Sequence, residues 1–171
     1  MVPIHACELP GDALLRQYHG SGGYADCYVA ESARPVSQAE FVEAFYTTAV
    51  FKLERMLLTW FAARPSTDSQ AAQLASGERG SFAAWSVEAR NHDQLLLCDF
   101  QGRTRSWLMS APASNGRTTR LFFGSAVVPT VDRRSGATRM GATYRVLLGF
   151  HKLYSRILLR AAATRLARRG G

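Results

Sequence analysis

Between Gly149 and Arg169 the chain reads GFHKLYSRILLRAAATRLARR, a stretch of aliphatic, aromatic and basic residues without one carboxylate. Advancing about 100° per residue from Leu147 places His151, Tyr154 and Leu158 within about 40° of it, with Phe150 and Ala161 close beside. Leu153 and Ile157 extend this arc on one flank, Leu148 and Leu159 on the other. Arg145, Lys152, Arg156 and Arg160 crowd into a strip of about 80° opposite. The apolar arc therefore covers about two thirds of the circumference, more than an ordinary surface helix buries. This predicts a helix over 143–168, enclosed on several sides, with one narrow basic strip facing water.

Charge supports treating this segment separately. Residues 133–171 carry ten Lys and Arg and no acid, whereas residues 1–132 carry eleven bases against thirteen acids. The net charge of +8 is thus local to the C-terminal end. Three bases sit in the middle of the helix, and each costs roughly 2.5–3.5 kcal/mol at mid-bilayer, so a membrane span is not expected. Peripheral contact with an anionic membrane through Lys152, Arg156 and Arg160 is an alternative to the enclosed helix. Nucleic-acid binding is not expected, because the bases lack interleaved exposed aromatics and no binding motif is present.

The rest of the chain predicts one α+β domain over 1–171. Residues 1–23 are read as irregular. In YADCYVAES (24–32), Ala25, Cys27 and Val29 alternate with Tyr24, Asp26 and Tyr28, the period of a strand. Ser37 followed by Glu40 is a capping box, and Val42, Phe45, Ala49, Leu53, Met56 and Trp60 form one stripe. A helical segment over 36–63 follows, with a break near Thr47–Thr48. Ser66 or Thr67 caps a short second helix that Gly77 closes. Four strands at 81–90, 94–100, 104–111 and 118–129, joined by short turns including Asn115-Gly116, predict an antiparallel meander over 81–129.

The segments AFYTTAVFKLERMLL, RTRSWLMSAP and GFHKLYSRILLRAA resemble an uncharacterised bacterial family in the START-like, or helix-grip, superfamily of polyketide cyclase-like (SRPBCC) proteins. The F-H-K-L of residues 150–153 is similar to the F-H-R-L near the end of such domains. The resemblance spans roughly residues 24–168. It implies a curved antiparallel sheet gripping the long C-terminal helix, with a cavity between them for a lipid- or polyketide-like ligand. It also implies one or two further strands, which would have to lie within 64–80 or 127–142, and two short helices where the stripe reads as one.

On that reading Tyr28, Trp85, Trp107, Met109, Tyr144, Leu147, His151 and Tyr154 line the ligand site, and the partner is a small hydrophobic or amphipathic molecule. His151 is the candidate acid or base, weighed against a core histidine bonded to a carbonyl or carboxylate. Glu88 and Asp99 lie on neighbouring strands, but ion pairs with Arg90, Arg103 or Arg105 account for them better than a two-carboxylate site. Ser125 in FGSAV lacks the second glycine of a nucleophile elbow, and GSGG (20–23) lacks the helix that follows a phosphate loop. His5, His19 and His92 have no paired ligand spacing, so no metal or cofactor is expected. A cyclase, dehydratase or isomerase of the same fold using His151 is the enzymatic alternative to a binding protein. Cys7, Cys27 and Cys98 form no C-x-x-C, and MVPIHACELPGD has no secretory pattern, so the expectation is reduced thiols in a cytoplasmic protein. The residues leave oligomeric state open.

Overall fold

The computed structural model describes residues 2–19, 24–53, 66–114, 116–128 and 142–169, with side chains in the last of these segments described from residue 152 onward. The chain forms a curved, unclosed antiparallel sheet of seven strands with helices on one face. In chain order these are β1 (His5–Ala6), a 3₁₀ turn (Leu14–Tyr18), β2 (Tyr24–Ser32), α1 (Gln38–Tyr46), α2 (Asp68–Ser76), β3 (Ser81–Phe82), β4 (Trp85–Arg90), β5 (Gln94–Asp99), β6 (Thr104–Pro112), β7 (Thr119–Val127) and α3 (Ala142–Arg169). The strand order is β1-β2-β7-β6-β5-β4-β3, so β2 is separated in sequence from its neighbour β7. No helix among the described residues is long and apolar enough to cross a membrane.

The local signals explain the element ends. Ser37 accepts the Glu40 N–H while the Glu40 carboxylate accepts the Ser37 N–H, closing the capping box of α1. Thr67 and Gln70 make the same reciprocal pair at α2, and Gly77 ends that helix at φ +91°. The predicted break at Thr47–Thr48 is present. The Thr47 and Thr48 hydroxyls donate back to the carbonyls of Glu43 and Phe45, and Thr48 Oγ1 accepts the N–H of Phe51. Thr48 thereby caps a new helical stretch at residues 49–53. The remainder of the predicted stripe, including Met56 and Trp60, lies outside the described residues, as do the loop at 129–141 and the glycine-rich turn.

The extra strands are not where the resemblance would have put them. One is β1, formed by the N-terminal segment against β2. The other arises because 81–90 is a hairpin rather than one strand: Phe82 pairs with Trp85 around Ala83, which adopts φ +52°. That left-handed conformation costs an alanine roughly 1 kcal/mol, and it sets the position of Trp85.

Both faces of the sheet are buried. The helical face gathers Tyr28, Ala30, Leu95, Leu97, Leu108, Leu121 and Phe123 with Phe41, Phe45 and Tyr46 of α1 and Leu158, Leu159 and Leu166 of α3. The opposite face gathers Cys27, Leu96, Trp107, Met109 and Phe122 under Ala13 and Leu15 of the N-terminal segment. Residues 1–23, read as irregular, thus include a lid on the second face. A β-bulge between Val87 and Ala89 turns β4 so that Val87 packs on the helical face and Ala89 on the other.

The described part of α3 is less enclosed than the wheel predicts. Ser155, Leu158, Leu159, Ala162, Ala163 and Leu166 are buried, but Leu153 is 58% and Ile157 40% exposed. The reason is topological: α3 rests on β2, β7 and α1, all on one side of it. Arg165 donates to the Thr47 carbonyl at the end of α1, and Arg169 pairs with Glu43 at 3.0 Å, tying the two helices together.

Candidate functional site

A cavity of about 180 Å³ lies between the helical face of the sheet and α3. Its apolar lining comes from Phe45 of α1, Phe51 of the stretch after the break, Phe123 of β7 and Leu158 of α3. Trp85 lines it from β4, Thr104, Arg105 and Ser106 from β6, Ser125 from β7, and Tyr154 and Ser155 from α3. The Thr47–Thr48 break matters here. It turns the chain after α1 so that Phe51 stacks against Phe82 and meets Tyr46 edge-on, bringing three successive turns of helical chain to one aromatic wall.

Among the described residues, two lining side chains carry a buried polar atom with no hydrogen-bond partner: the indole Nε1–H of Trp85 and the Oγ of Ser155. Ser155 as a whole is only 1% exposed. Buried polar groups are paired in the great majority of cases, and an orphaned one costs about 1–3 kcal/mol. The hydroxyls of Ser106 and Ser125 are committed. Tyr46 and Ser106 bond to one another at 3.2 Å. Ser125 donates to Asp26 Oδ1 at 2.5 Å and adds its backbone N–H to the same oxygen, while the Tyr24 hydroxyl donates to Asp26 Oδ2. The carboxylate of Asp26 is thus held by three donors from β2 and β7 beside the cavity. Lys152 lies over the Tyr24 ring at 5.4 Å, and Arg156 over the Tyr28 ring at 5.7 Å.

The residues expected to line a site divide three ways. Trp85 and Tyr154 line the cavity. Tyr28 is buried on the same face of the sheet but packs in the core, where burial and the negative charge of Asp26 push its hydroxyl up to about 12. Trp107 and Met109 face the other way, into the cluster under the N-terminal segment, because β6 alternates and its helical face carries Thr104, Ser106 and Leu108. They are therefore not lining residues of this cavity. Tyr144, Leu147 and His151 fall within α3, but their side chains lie outside the described residues.

Glu88 pairs with Arg105 at 2.8 Å and also receives the Tyr18 hydroxyl. Asp99 accepts the backbone N–H groups of Arg103 and Thr104 and so fastens the β5–β6 turn. Neither carboxylate faces the other in a shared site. Phe45, Phe51, Phe123 and Ser155 are lining residues that the sequence reading did not single out. The signal for Ser155 was present, as it lies between Leu158 and Leu148 on the apolar arc of the wheel.

Chemically, the arrangement is a pocket of mixed lining, four apolar side chains beside several polar ones, in which Trp85 Nε1–H and Ser155 Oγ have no partner. The Ser125 hydroxyl proton is engaged by Asp26. No family profile, curated protein or solved structure matches the chain.

Proposed function

We propose that the chain binds a small amphipathic molecule between the sheet and α3, an aromatic or short acyl group carrying one hydrogen-bond acceptor. The carrying observation is the pair of partnerless buried polar atoms, Trp85 Nε1–H and Ser155 Oγ–H, in a cavity that also carries the aromatic and aliphatic side chains of Phe45, Phe51, Phe123 and Leu158. A ligand carbonyl or carboxylate oxygen would satisfy them, while its apolar part would pack among Phe45, Phe51, Phe123 and Leu158. At about 180 Å³ the cavity is on the scale of one aromatic ring; an apolar cavity of about 150 Å³ holds benzene. The START-like resemblance of the three segments supports the same placement of a ligand, since that fold carries its cavity between sheet and final helix.

The test is a matched series of single-ring compounds, such as aryl ketones and aryl carboxylates against alkylbenzenes, titrated by calorimetry. Native mass spectrometry of freshly purified protein adds a search for a retained molecule. Saturable binding that prefers the acceptor-bearing compounds, with the preference lost in Ser155→Ala, is the expected result. Absence of saturable binding throughout the series would dismiss the reading.

A second reading draws on the exposed side of α3. Leu153 and Ile157 stand out of the protein beside Arg156 and Arg160, in a segment without acids. Apolar side chains set among bases on one helix face suit the surface of an anionic membrane. The two readings are compatible, because the cavity lies on the other side of the helix.

A further inference from the structure

Cys7 and Cys27 are twenty residues apart in sequence, yet the fold sets them face to face. The β1–β2 register pairs His5 with Val29 and Ala6 with Tyr28. One step further it brings Cys7 opposite Cys27, and the Cys7 N–H donates to the Cys27 carbonyl at 3.0 Å. Their sulfurs are 3.3 Å apart. Directly opposed residues of a hydrogen-bonded antiparallel pair have Cα atoms about 5.5 Å apart, within the range that a disulfide spans without backbone movement. Closing the bond therefore asks for side-chain rotation alone.

The two thiols differ in access. Cys27 is buried against the Trp107 cluster, whereas Cys7 is half-buried. Both border a cleft of about 360 Å³ that is also lined by Glu8, Leu9, Arg16, His19 and Asp26. The hydrogen bond with Cys27 holds the Cys7 thiol below its ordinary value, helped by Arg120 and opposed by burial. The same hydrogen bond and burial push Cys27 up. Attack should start at the accessible sulfur that more readily becomes a thiolate.

We propose that Cys7 and Cys27 form a reversible dithiol–disulfide site whose oxidant is a low-molecular-weight disulfide of the glutathione type. The Cys7 thiolate attacks one sulfur of that disulfide. The small molecule's S–S bond breaks, a Cys7 mixed disulfide forms, and one small thiolate leaves and takes a proton from water. Cys27 then gives up its proton to solvent and attacks the Cys7 sulfur, displacing the second small thiol. Two protein thiols are oxidised and one small disulfide is reduced to two thiols. The product fastens the N-terminal segment across β2, and with it the lid over Trp107.

The test uses the full chain carrying Cys98→Ala, so that only this pair can react. It is equilibrated in mixtures of reduced and oxidised glutathione, quenched in acid, alkylated and mapped by mass spectrometry. The expected product is one monomeric species that has lost two hydrogens and links the Cys7 and Cys27 peptides. Closing this loop should raise the melting temperature by roughly 6–12 °C over the reduced form. In Cys27→Ala on the same background, a glutathione adduct should accumulate at Cys7; in Cys7→Ala, Cys27 should stay unmodified. Should a single-cysteine variant fail to fold, the peptide map of the two-cysteine protein decides alone. A persistent glutathione adduct while both thiols are present would overturn the proposal. So would a disulfide between molecules, or two thiols still open to alkylation in excess oxidised glutathione.

Discussion

The indole N–H of Trp107 donates to the side-chain carbonyl of Gln94 across 2.9 Å, and the same oxygen accepts the backbone N–H of Leu14 at 2.9 Å. The Gln94 amide nitrogen completes the set by donating to the Asp12 carbonyl at 3.1 Å. One buried glutamine thus fastens the N-terminal segment to the sheet and satisfies the only polar atom of the Trp107 side chain. Gln94→Leu keeps the volume but orphans both donors, and should cost about 2–4 kcal/mol. Urea denaturation followed by tryptophan fluorescence measures this. A loss below about 0.5 kcal/mol would mean that the pairing carries no weight, since only substitutions away from such features fall in that range.

Gly124 sits in β7 beneath the same lid. A Cβ added there would meet Leu15 Cδ2 at 2.8 Å, the Asp26 carbonyl oxygen at 2.9 Å and Trp107 Cε3 at 2.9 Å. The Asp26 oxygen is main chain in the adjacent strand and has little room to retreat. Gly124→Ala should therefore destabilise by about 1–3 kcal/mol, although alanine suits a strand better than glycine does. The shift in melting temperature checks it, with Gly80→Ala, where the added atom meets nothing within 4 Å, as the control.

Ser155 separates stability from binding. Its hydroxyl is buried without a partner, so Ser155→Ala removes an unpaired group and should leave the free protein equally stable or up to about 1 kcal/mol more stable. Affinity for an acceptor-bearing ligand should fall roughly five- to tenfold, the worth of one hydrogen bond. Thermal melts with and without ligand read both effects. A variant less stable in the free state would indicate that the hydroxyl already holds something together.

How far the sequence could lead is clearest at Trp107 and Ser37. The capping boxes, the Thr47–Thr48 break, Gly77 and the bounds of β2 follow from residues within a few positions of one another, and such signals survive folding intact. The alternation of Trp107 and Met109 was equally legible, but the side they face depends on which chain segment covers which side. QLLLCD in β5 and LFFGSAV in β7 are apolar on both sides, the pattern of a sheet buried twice over, which asks for a second cover besides the helices. The N-terminal segment supplies it through Gln94 and Leu15, a contact across eighty residues that no local pattern announces. The Cys7–Cys27 pairing is equally non-local, because it depends on the register of β1 on β2. On α3 the wheel ranked the faces correctly around Leu158 but overstated the buried arc. A helix lying against one side of its neighbours leaves Leu153 and Ile157 out however apolar they are.

Tyr28 gives a pH signature. Burial, then the charge of Asp26, raise its hydroxyl to about 12 in the folded chain, against 10.0 for an ordinary tyrosine. The neutral form is the one the fold prefers. The contribution is therefore full below pH 10 and is lost as pH rises from there through about 12. The stability of the wild type minus that of Tyr28→Phe, measured by denaturant titration in steps across that window, should fall with rising pH. A difference that stays constant would place the ionisation elsewhere.

The exposed face of α3 yields the last prediction. Leu153 and Ile157 are one turn apart, Arg156 and Arg160 one turn apart, and the two pairs are neighbours at spacings of three, so all four share one patch. Each arginine near an anionic surface contributes about 1 kcal/mol, which is roughly a fivefold change in partition. Sedimentation with phosphatidylglycerol vesicles should recover the protein at low salt, release it at high salt, and recover little with phosphatidylcholine alone. Arg160→Gln should weaken recovery about fivefold and Leu153→Glu by more, since it removes an apolar contact and adds a repelled charge. Because both side chains are exposed, neither substitution should move the melting temperature, and this separates a surface effect from misfolding. Equal recovery with neutral and anionic vesicles would leave the patch as solvent-facing surface and remove the membrane from the account.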